Sequence, residues 1–162
     1  MLLVAAEEGL VATEPPIDVG ARVARLREEM EGDNDAGHWV LEDDDGRVVG
    51  IAEAHETTVA GALSLGIALL PGARGRGHGR ALVDAVLVHS IGTGAHKVEL
   101  EVWPDNLRAI GLYESAGFTV EGLRRDHYRR RDGTLRSAVL MARPLNRAGG
   151  ADAAASSDPA PG

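Results

Sequence analysis

A glycine-rich turn between two apolar segments is the feature that most constrains how this chain can fold. Residues 62–70 are nearly all apolar and predict a buried strand, and residues 77–91 carry apolar side chains at helical spacing. The turn between them, residues 71–80, has the sequence Pro-Gly-Ala-Arg-Gly-Arg-Gly-His-Gly-Arg. Glycines let a backbone approach a ligand closely, and a helix N-terminus offers unpaired N–H groups to an anion. The turn is therefore predicted to bind a pyrophosphate.

The turn fits neither of the common nucleotide-binding motifs. A P-loop requires Gly-x-x-x-x-Gly-Lys-Ser/Thr, and residues 71–80 contain no lysine. A dinucleotide fingerprint requires Gly-x-Gly-x-x-Gly near the first strand of a parallel unit. This chain has Gly-x-Gly-x-Gly at residues 75–79, after three predicted strands. The plain alternative is a glycine-rich connection with surface arginines.

The rest of the sequence predicts a mixed, mostly antiparallel sheet flanked by helices, of the α/β or α+β class. The predicted order is a helix at 17–31, strands at 38–42, 47–55 and 62–70, a helix at 77–91, a strand at 96–103, a helix at 106–116 and strands at 118–123 and 137–142. Asp-Asp-Asp-Gly at 43–46 and Asp-Gly at 132–133 predict hairpin turns. Residues 1–145 are expected to form one domain, and the small, polar residues of 146–162 a disordered tail.

Composition restricts the chemistry of the chain. It has no cysteine, which excludes disulfides, thiolate metal sites and a cysteine nucleophile. No apolar stretch approaches the roughly 18 residues of a membrane span, and the N-terminus lacks the basic start of a signal peptide. Residues 1–53 hold 14 of the 25 acidic residues but only four of the 17 basic ones. We expect a cytoplasmic protein that binds neither nucleic acid nor membranes.

Two motifs resemble the acetyl-CoA signatures of the GNAT superfamily of N-acetyltransferases. Arg74-x-x-Gly77-x-Gly79 is similar to the family's Arg/Gln-x-x-Gly-x-Gly/Ala motif. An Asn at 106, an Ala at 109 and the run Leu-Tyr-Glu-Ser-Ala-Gly-Phe at 112–118 are similar to the second signature. The resemblance covers residues 39–145 and is strongest to bacterial enzymes that acetylate amino acids or small amines. It implies the acyl-CoA N-acyltransferase fold without its first strand, because only about 16 residues precede the first predicted helix.

The resemblance implies acetyl-CoA as cosubstrate and no metal ion. The pyrophosphate would lie on the glycine-rich turn, and the thioester would meet free backbone N–H groups at the end of strand 62–70. The implied cofactor-binding residues are Ala68, Leu69, Leu70, Arg74, Gly75, Arg76, Gly77, His78, Gly79, Arg80, Asn106 and Ala109.

Tyr113 and Glu101 are the candidate catalytic residues. Acetyl transfer must deprotonate an amine, hold an oxyanion and protonate a thiolate. By its place in the motif Tyr113 resembles the family's acid; packing beside Phe118 is the alternative. Glu101 lies twelve residues earlier and resembles the base of the ribosomal-protein alanine N-acetyltransferases, with a salt-bridged strand residue as the alternative. Glu53 and His55 are rival bases.

The expected reaction is transfer of acetyl from acetyl-CoA to a primary amine of a small molecule such as an amino acid. A protein N-terminus as acceptor and a non-catalytic CoA-binding module are the alternatives. His127 and Tyr128 are candidates to line the acceptor site or to be exposed hairpin residues. The basic cluster Arg124 to Arg131 is interpreted as a solvated hairpin, with attraction of an acidic substrate as the alternative. A sheet edge left by a missing strand would favour a homodimer.

Overall fold

The computed structural model describes residues 18–31 and 35–145. Its elements are α1 (Val19–Glu31), β1 (Gly37–Glu42), β2 (Val48–Glu56), β3 (Ala62–Leu69), α2 (His78–Gly92), β4 (Lys97–Val102), α3 (Leu107–Ser115), β5 (Thr119–Arg129) and β6 (Leu135–Pro144). A short 3-10 turn, Pro71–Ala73, separates β3 from α2. The predictions for residues 1–17 and 146–162, including the missing strand and the tail, lie outside the described residues.

The six strands form one mixed sheet in the order β1-β2-β3-β4-β6-β5. All neighbours are antiparallel except β3 and β4, which are parallel. A parallel pair needs a crossover connection, and α2 supplies it. The predicted turns at 43–46 and 132–133 join β1 to β2 and β5 to β6. The predicted mixed, mostly antiparallel sheet with flanking helices is thus confirmed.

Strands β3 and β4 separate after a short paired stretch. Their pairing reaches only Ser64 opposite Glu99. Beyond that point β3 stays paired with β2 as far as Leu69, and β4 stays paired with β6 as far as Val102. The sheet therefore opens in a V beside residues 65–69. Within the described residues, the β4-facing edge of β3 has no strand to pair with there.

The core lies between this sheet and the helices α2 and α3. The inner side of α2 is buried as predicted, through Leu82, Val83, Val86 and Leu87. The predicted alternation of β4 is confirmed too, because Val98, Leu100 and Val102 are buried. Phe118, which is 2% exposed, closes the core under α3. Burying each such side chain stabilises the fold by about 1.5–3 kcal/mol.

Capping residues set the helix boundaries. The Asp18 carboxylate accepts the N–H of Ala21 at 2.9 Å, so α1 begins after Asp18. The Asn106 side chain accepts the N–H of Ala109 at 3.2 Å and caps α3. Gly117 follows the end of α3 with φ of 86°, a left-handed conformation that glycine adopts without steric cost. Residue type predicts a cap at each position, with Asp105 as the alternative to Asn106. The structure confirms Asp18 and Gly117 and selects Asn106.

The final hairpin is longer than predicted. Strand β5 continues to Arg129, whereas the prediction ended it at Leu123. Its register shifts between Arg124 and Tyr128, where Asp126 has φ of 48°. This bulge and the run of charged residues interrupt the period-2 alternation on which a strand prediction depends.

Candidate active site

A cleft of about 470 Å³ opens where β3 and β4 separate. One wall is β3 from Leu65 to Leu69, and one end is the glycine-rich turn with the start of α2. The end of β4 and the first two turns of α3 form the opposite wall, and Tyr128 and Ala138 of the hairpin close the other end. Because β3 and β4 are parallel, their carboxyl ends lie at the same edge of the sheet. The helices that follow them, α2 and α3, therefore begin next to each other at the cleft.

Three glycines of the turn are needed for one of two physical reasons. Gly75 and Gly77 have φ of 76° and 85°, and a Cβ on either would meet nothing within 4 Å. They are therefore required by backbone conformation rather than by space. At Gly79 a Cβ would lie 3.0 Å from the side chain of Leu112 on α3. Gly79 thus lets α2 pack closely against α3.

The first backbone N–H groups of α2 have no hydrogen-bond partner among the described residues. Its N-cap residue, Gly77, has no side chain to bond the first N–H groups, and the first turn contains no acid. The first backbone bond to the cap runs from the Ala81 N–H to the Gly77 carbonyl at 3.1 Å. Open N–H groups and the positive end of the helix dipole make this end of the cleft suited to a phosphate.

Two arginines of the turn are engaged with the protein itself. The Arg74 guanidinium donates twice to the Leu69 carbonyl, at 3.1 and 2.9 Å, and so fixes the end of β3. The Arg80 guanidinium pairs with Asp84 at 2.8 Å and donates to the Ser115 carbonyl at 2.9 Å, which ties α2 to α3. Both side chains line the cleft, but these contacts use their guanidinium groups to position β3, α2 and α3.

Most of the predicted cofactor residues line the cleft, and three do not. The nine that do are Ala68, Leu69, Arg74, Gly75, Gly77, Gly79, Arg80, Asn106 and Ala109. Arg76 and His78 belong to the same turn but are not part of the lining. For Leu70 the expectation of a free N–H is wrong, because that N–H donates to the Val49 carbonyl at 3.0 Å and extends the β2–β3 pairing. Backbone N–H groups alternate in direction along a strand, so in the same register the N–H of Ala68 points to β2, opposite Ile51, and its expectation is wrong as well. Of Ala68, Leu69 and Leu70, Leu69 is the residue whose backbone N–H faces the opening.

Tyr113 combines a buried ring with a hydroxyl at the cleft. The residue is 8% exposed, and its ring centroid lies 5.8 Å from that of Phe118. Burial raises the pKa of the Tyr113 phenol to about 12. Among the described residues the hydroxyl has no hydrogen-bond partner, and the side chain lines the cleft. A protonated donor is therefore available to an atom bound there.

Glu101 lines the cleft with both carboxylate oxygens engaged. Oε1 lies 2.8 Å from the Arg124 guanidinium, and Oε2 accepts the Tyr128 hydroxyl at 2.7 Å. Burial, together with the hydrogen bond and charge of Glu101, raises the pKa of Tyr128 to about 12. The structure thus brings Glu101 and Tyr128 together at the end of the cleft that the final hairpin closes. His127 packs edge-on against Tyr128 but does not line the cleft.

The chain matches the family model described as "Acetyltransferase (GNAT) family" over residues 7–118. That is well over half of the 162 residues. This chain belongs to the GNAT family of acetyltransferases.

Named relatives of this GNAT chain act on different acceptors. The chain is 38% identical over 80 residues to the [ribosomal protein bS18]-alanine N-acetyltransferase of Escherichia coli K12, covering 49% of this chain and 53% of that one. It is 29% identical over 111 residues to the spermidine N(1)-acetyltransferase of Vibrio cholerae, covering 67% and 64%. The chain thus spans between about half and two thirds of the length of these relatives.

A solved structure supports the fold. The phosphinothricin acetyltransferase of Sinorhizobium meliloti, solved with acetyl-CoA, superposes with a TM-score of 0.77 at 24% identity. The superposition covers 89% of this chain and 79% of that one. The six-stranded sheet described above is therefore the acyl-CoA N-acyltransferase fold of the GNAT family.

Arg108 lines the cleft of this GNAT domain, although the sequence did not single it out. It is exposed, lies in the first turn of α3, and forms no hydrogen bond or ion pair with any described residue. Leu112, one turn further along α3, is the residue that packs against Gly79. Arg108 was missed because it occupies an unspecified position between Asn106 and Ala109 of the motif.

The rival bases lie on β2, outside the lining of the cleft. Glu53 pairs with Gly66 across the β2–β3 ladder, and a Cβ on Gly66 would lie 3.0 Å from the Glu53 carboxylate. Gly66 itself lines the cleft. Glu53 is thus separated from the cleft by a glycine backbone, while His55 lies two residues further away, opposite Ser64.

Trp103 forms an aromatic wall at the hairpin end of the cleft. The alternation of residues 97–103 predicts it on the face opposite Val98, Leu100 and Val102, yet it is only 4% exposed because the last hairpin covers it. The Tyr128 ring meets it edge-on at 5.2 Å, and the guanidinium carbons of Arg136 and Arg130 lie 4.5 and 5.8 Å from its ring centroid. Its buried indole N–H has no hydrogen-bond partner among the described residues.

The described lining of the cleft supplies N–H and O–H donors and one carboxylate, that of Glu101. Across residues 18–31 and 35–145, no group of three or more His, Cys, Asp and Glu side chains is placed to hold a metal ion. In the same part of the chain, no helix is long and apolar enough to cross a membrane.

Proposed function

We propose that this chain transfers the acetyl group of acetyl-CoA to a primary amine of a small molecule such as an amino acid, by direct attack. One observation carries the proposal. A single cleft is lined by the start of α2, by Tyr113 and by Glu101. These would supply a phosphate site, a proton donor and a proton acceptor.

The cofactor end would hold acetyl-CoA through backbone groups. The N–H groups at the start of α2 would bind the pyrophosphate, and Arg108 is the lining cation that no described residue already holds. The backbone N–H of Leu69, on the unpaired edge of β3, would donate to the thioester oxygen. The Asn106 oxygen caps α3, which leaves its amide N–H₂ group as the donor for the pantetheine arm.

The reaction then needs three groups. The amine nitrogen bonds to the thioester carbon, the C–S bond breaks, and the Tyr113 hydroxyl gives its proton to the departing sulfur. A pKa of about 12 keeps Tyr113 protonated at neutral pH. The backbone N–H of Leu69 stabilises the oxyanion, a contribution on the order of 10²–10³ in rate for one such donor. Glu101 takes the proton of the amine; Glu53, acting through water past Gly66, is the second candidate.

A protein N-terminus is the second candidate acceptor. The observation that favours it is the 38% identity over 80 residues to the bS18-alanine enzyme. A non-catalytic CoA-binding module is less well supported, because binding alone gives no reason for the unbonded hydroxyl of Tyr113 at the cleft.

The test is thiol release from acetyl-CoA across a panel of free amino acids, other small amines and peptides beginning with alanine. Turnover with small amines supports the proposal, and turnover with peptides alone would favour the second candidate. Tight CoA binding in calorimetry without turnover on any acceptor would overturn the proposal and leave the binding module.

A further inference from the structure

An ion pair lies at the hairpin end of the cleft, which is the proposed acceptor end. Glu101 is 30% exposed and lines the cleft, whereas Arg124, 44% exposed, contacts Glu101 at 2.8 Å from beside the lining. They stand on neighbouring parts of the sheet, because Arg124 pairs with Ala138 of β6 and Glu101 with Leu140, two residues further along the same strand. Two opposite charges one contact apart, open to solvent beside the acetyl-transfer site, are complementary to a ligand that carries the same two charges.

The surroundings of this ion pair are positive. Residues 124–136 carry six arginines against two aspartates. Asp105, just before the start of α3, is already paired with Arg136 at 2.8 Å. A rim of this sign repels a polycation and attracts an anionic group.

We propose that the acceptor is a zwitterion whose reacting amine stands next to its own carboxylate, as in a free α-amino acid. This rests on the proposed acetyltransferase function and narrows its substrate. Glu101 would receive the ammonium group and Arg124 the carboxylate. A planar guanidinium binds a carboxylate through two parallel hydrogen bonds, which suits Arg124 to the task.

A zwitterion would bind here because it can exchange charge partners with Glu101 and Arg124. A zwitterion gives each member of the ion pair a new partner of the right charge, so no charge in the site loses its counterion. An amine without a carboxylate engages Glu101 and leaves Arg124 with water in place of its acid, a loss that is small at this exposure but still favours the zwitterion. In the exchanged state Glu101 no longer faces Arg124, and the ammonium is the nearest proton donor to its carboxylate.

The experiment compares each free L-amino acid of a panel with the α-amide of the same amino acid, and includes spermidine. Wild type is expected to prefer the acids by about tenfold or more in kcat/KM. Arg124→Gln should bring the acid-to-amide ratio towards one, mainly through KM for the acids, and Arg124→Lys should restore part of it. Arg125→Gln is the matched control, since Arg125 bonds no described residue; its ratio should equal that of wild type.

The outcomes separate this inference from the function on which it rests. If no acceptor is acetylated, the proposed function fails and the inference fails with it. If acids and amides are acetylated equally well by wild type, the zwitterion inference is overturned while the acetyltransferase function stands. An Arg124→Gln variant that keeps the wild-type ratio overturns the inference in the same way. Should Arg124→Gln fold poorly, the wild-type ratio and the Arg124→Lys variant decide between the two outcomes.

Discussion

At the scale of single residues, Tyr113 couples the core to the cleft. Its ring packs beside Phe118, and its hydroxyl is left to a ligand. Tyr113→Phe keeps the ring and removes the proton donor, so kcat should fall by about 10²–10⁴ while the Kd for CoA stays nearly unchanged. Steady-state kinetics and calorimetry measure the two quantities. A wild-type kcat in Tyr113→Phe would remove the acid role.

Burial of Tyr113 also predicts how stability depends on pH. Its folded-state pKa of about 12 lies above the ordinary value of 10.0, so the folded protein holds the phenolic proton more tightly. This contribution is complete below pH 10 and is lost as the pH rises through 12. By pH 11 the loss is about 1 kcal/mol. Urea unfolding at pH 8 and pH 11 should show a smaller loss in Tyr113→Phe than in wild type, and an equal loss would contradict the burial argument.

Arg76 is a pyrophosphate-binding arginine that the motif implies, whereas the structure favours Arg108 for that role. Arg108 lines the cleft without a described partner, whereas Arg76, implied by the motif, does not line it. Arg108→Gln should weaken CoA binding about tenfold, as loss of a charge-assisted contact to phosphate does. Arg76→Gln, its control, should bind within about twofold of wild type. The reverse order in calorimetry would favour the motif.

At the scale of elements, the turn before α2 depends on backbone conformation. Gly77 has φ of 85° with open space around it, so an added methyl group strains the backbone without clashing. Gly77→Ala should lower stability by about 1 kcal/mol and weaken CoA binding, because it disturbs the open N–H groups. Gly92→Ala is the control, since Gly92 also has open space but lacks a positive φ. Equal effects in thermal unfolding and CoA calorimetry would show that the conformation of Gly77 is unimportant.

Elements with strong local chemistry were predictable from the sequence, and those shaped by tertiary contacts were not. The inner face of α2 and the cap at Asn106 follow from spacing and residue type. The extension of β5 past Leu123 depends on a bulge at Asp126 that leaves no periodic signal. The engagement of Arg74 with the end of β3 depends on where the turn folds back, which residue type alone does not reveal.

At the scale of the whole molecule, the topology creates the site. Because β3 and β4 pair only at their starts, the sheet opens beside two helix N-termini. The motifs indicated the contents of this opening, and the sequence offered Glu101 and Tyr128 as candidates beside it, but the contacts between these residues were visible only in the fold. Glu101, Arg124 and Tyr128 come from two elements separated by up to 27 residues in sequence and form one network. Residue spacing carries no signal for such a contact.

The central claim is that this cleft moves an acetyl group from acetyl-CoA to the amine of a small acceptor. Its most direct test combines thiol release with mass spectrometry of the acceptor, using wild type and Tyr113→Phe on the panel of free amino acids. We predict that wild type N-acetylates at least one of them with one acetyl group per thiol released, and that Tyr113→Phe is strongly impaired. Saturable CoA binding with no acetylated product from any acceptor would contradict the account.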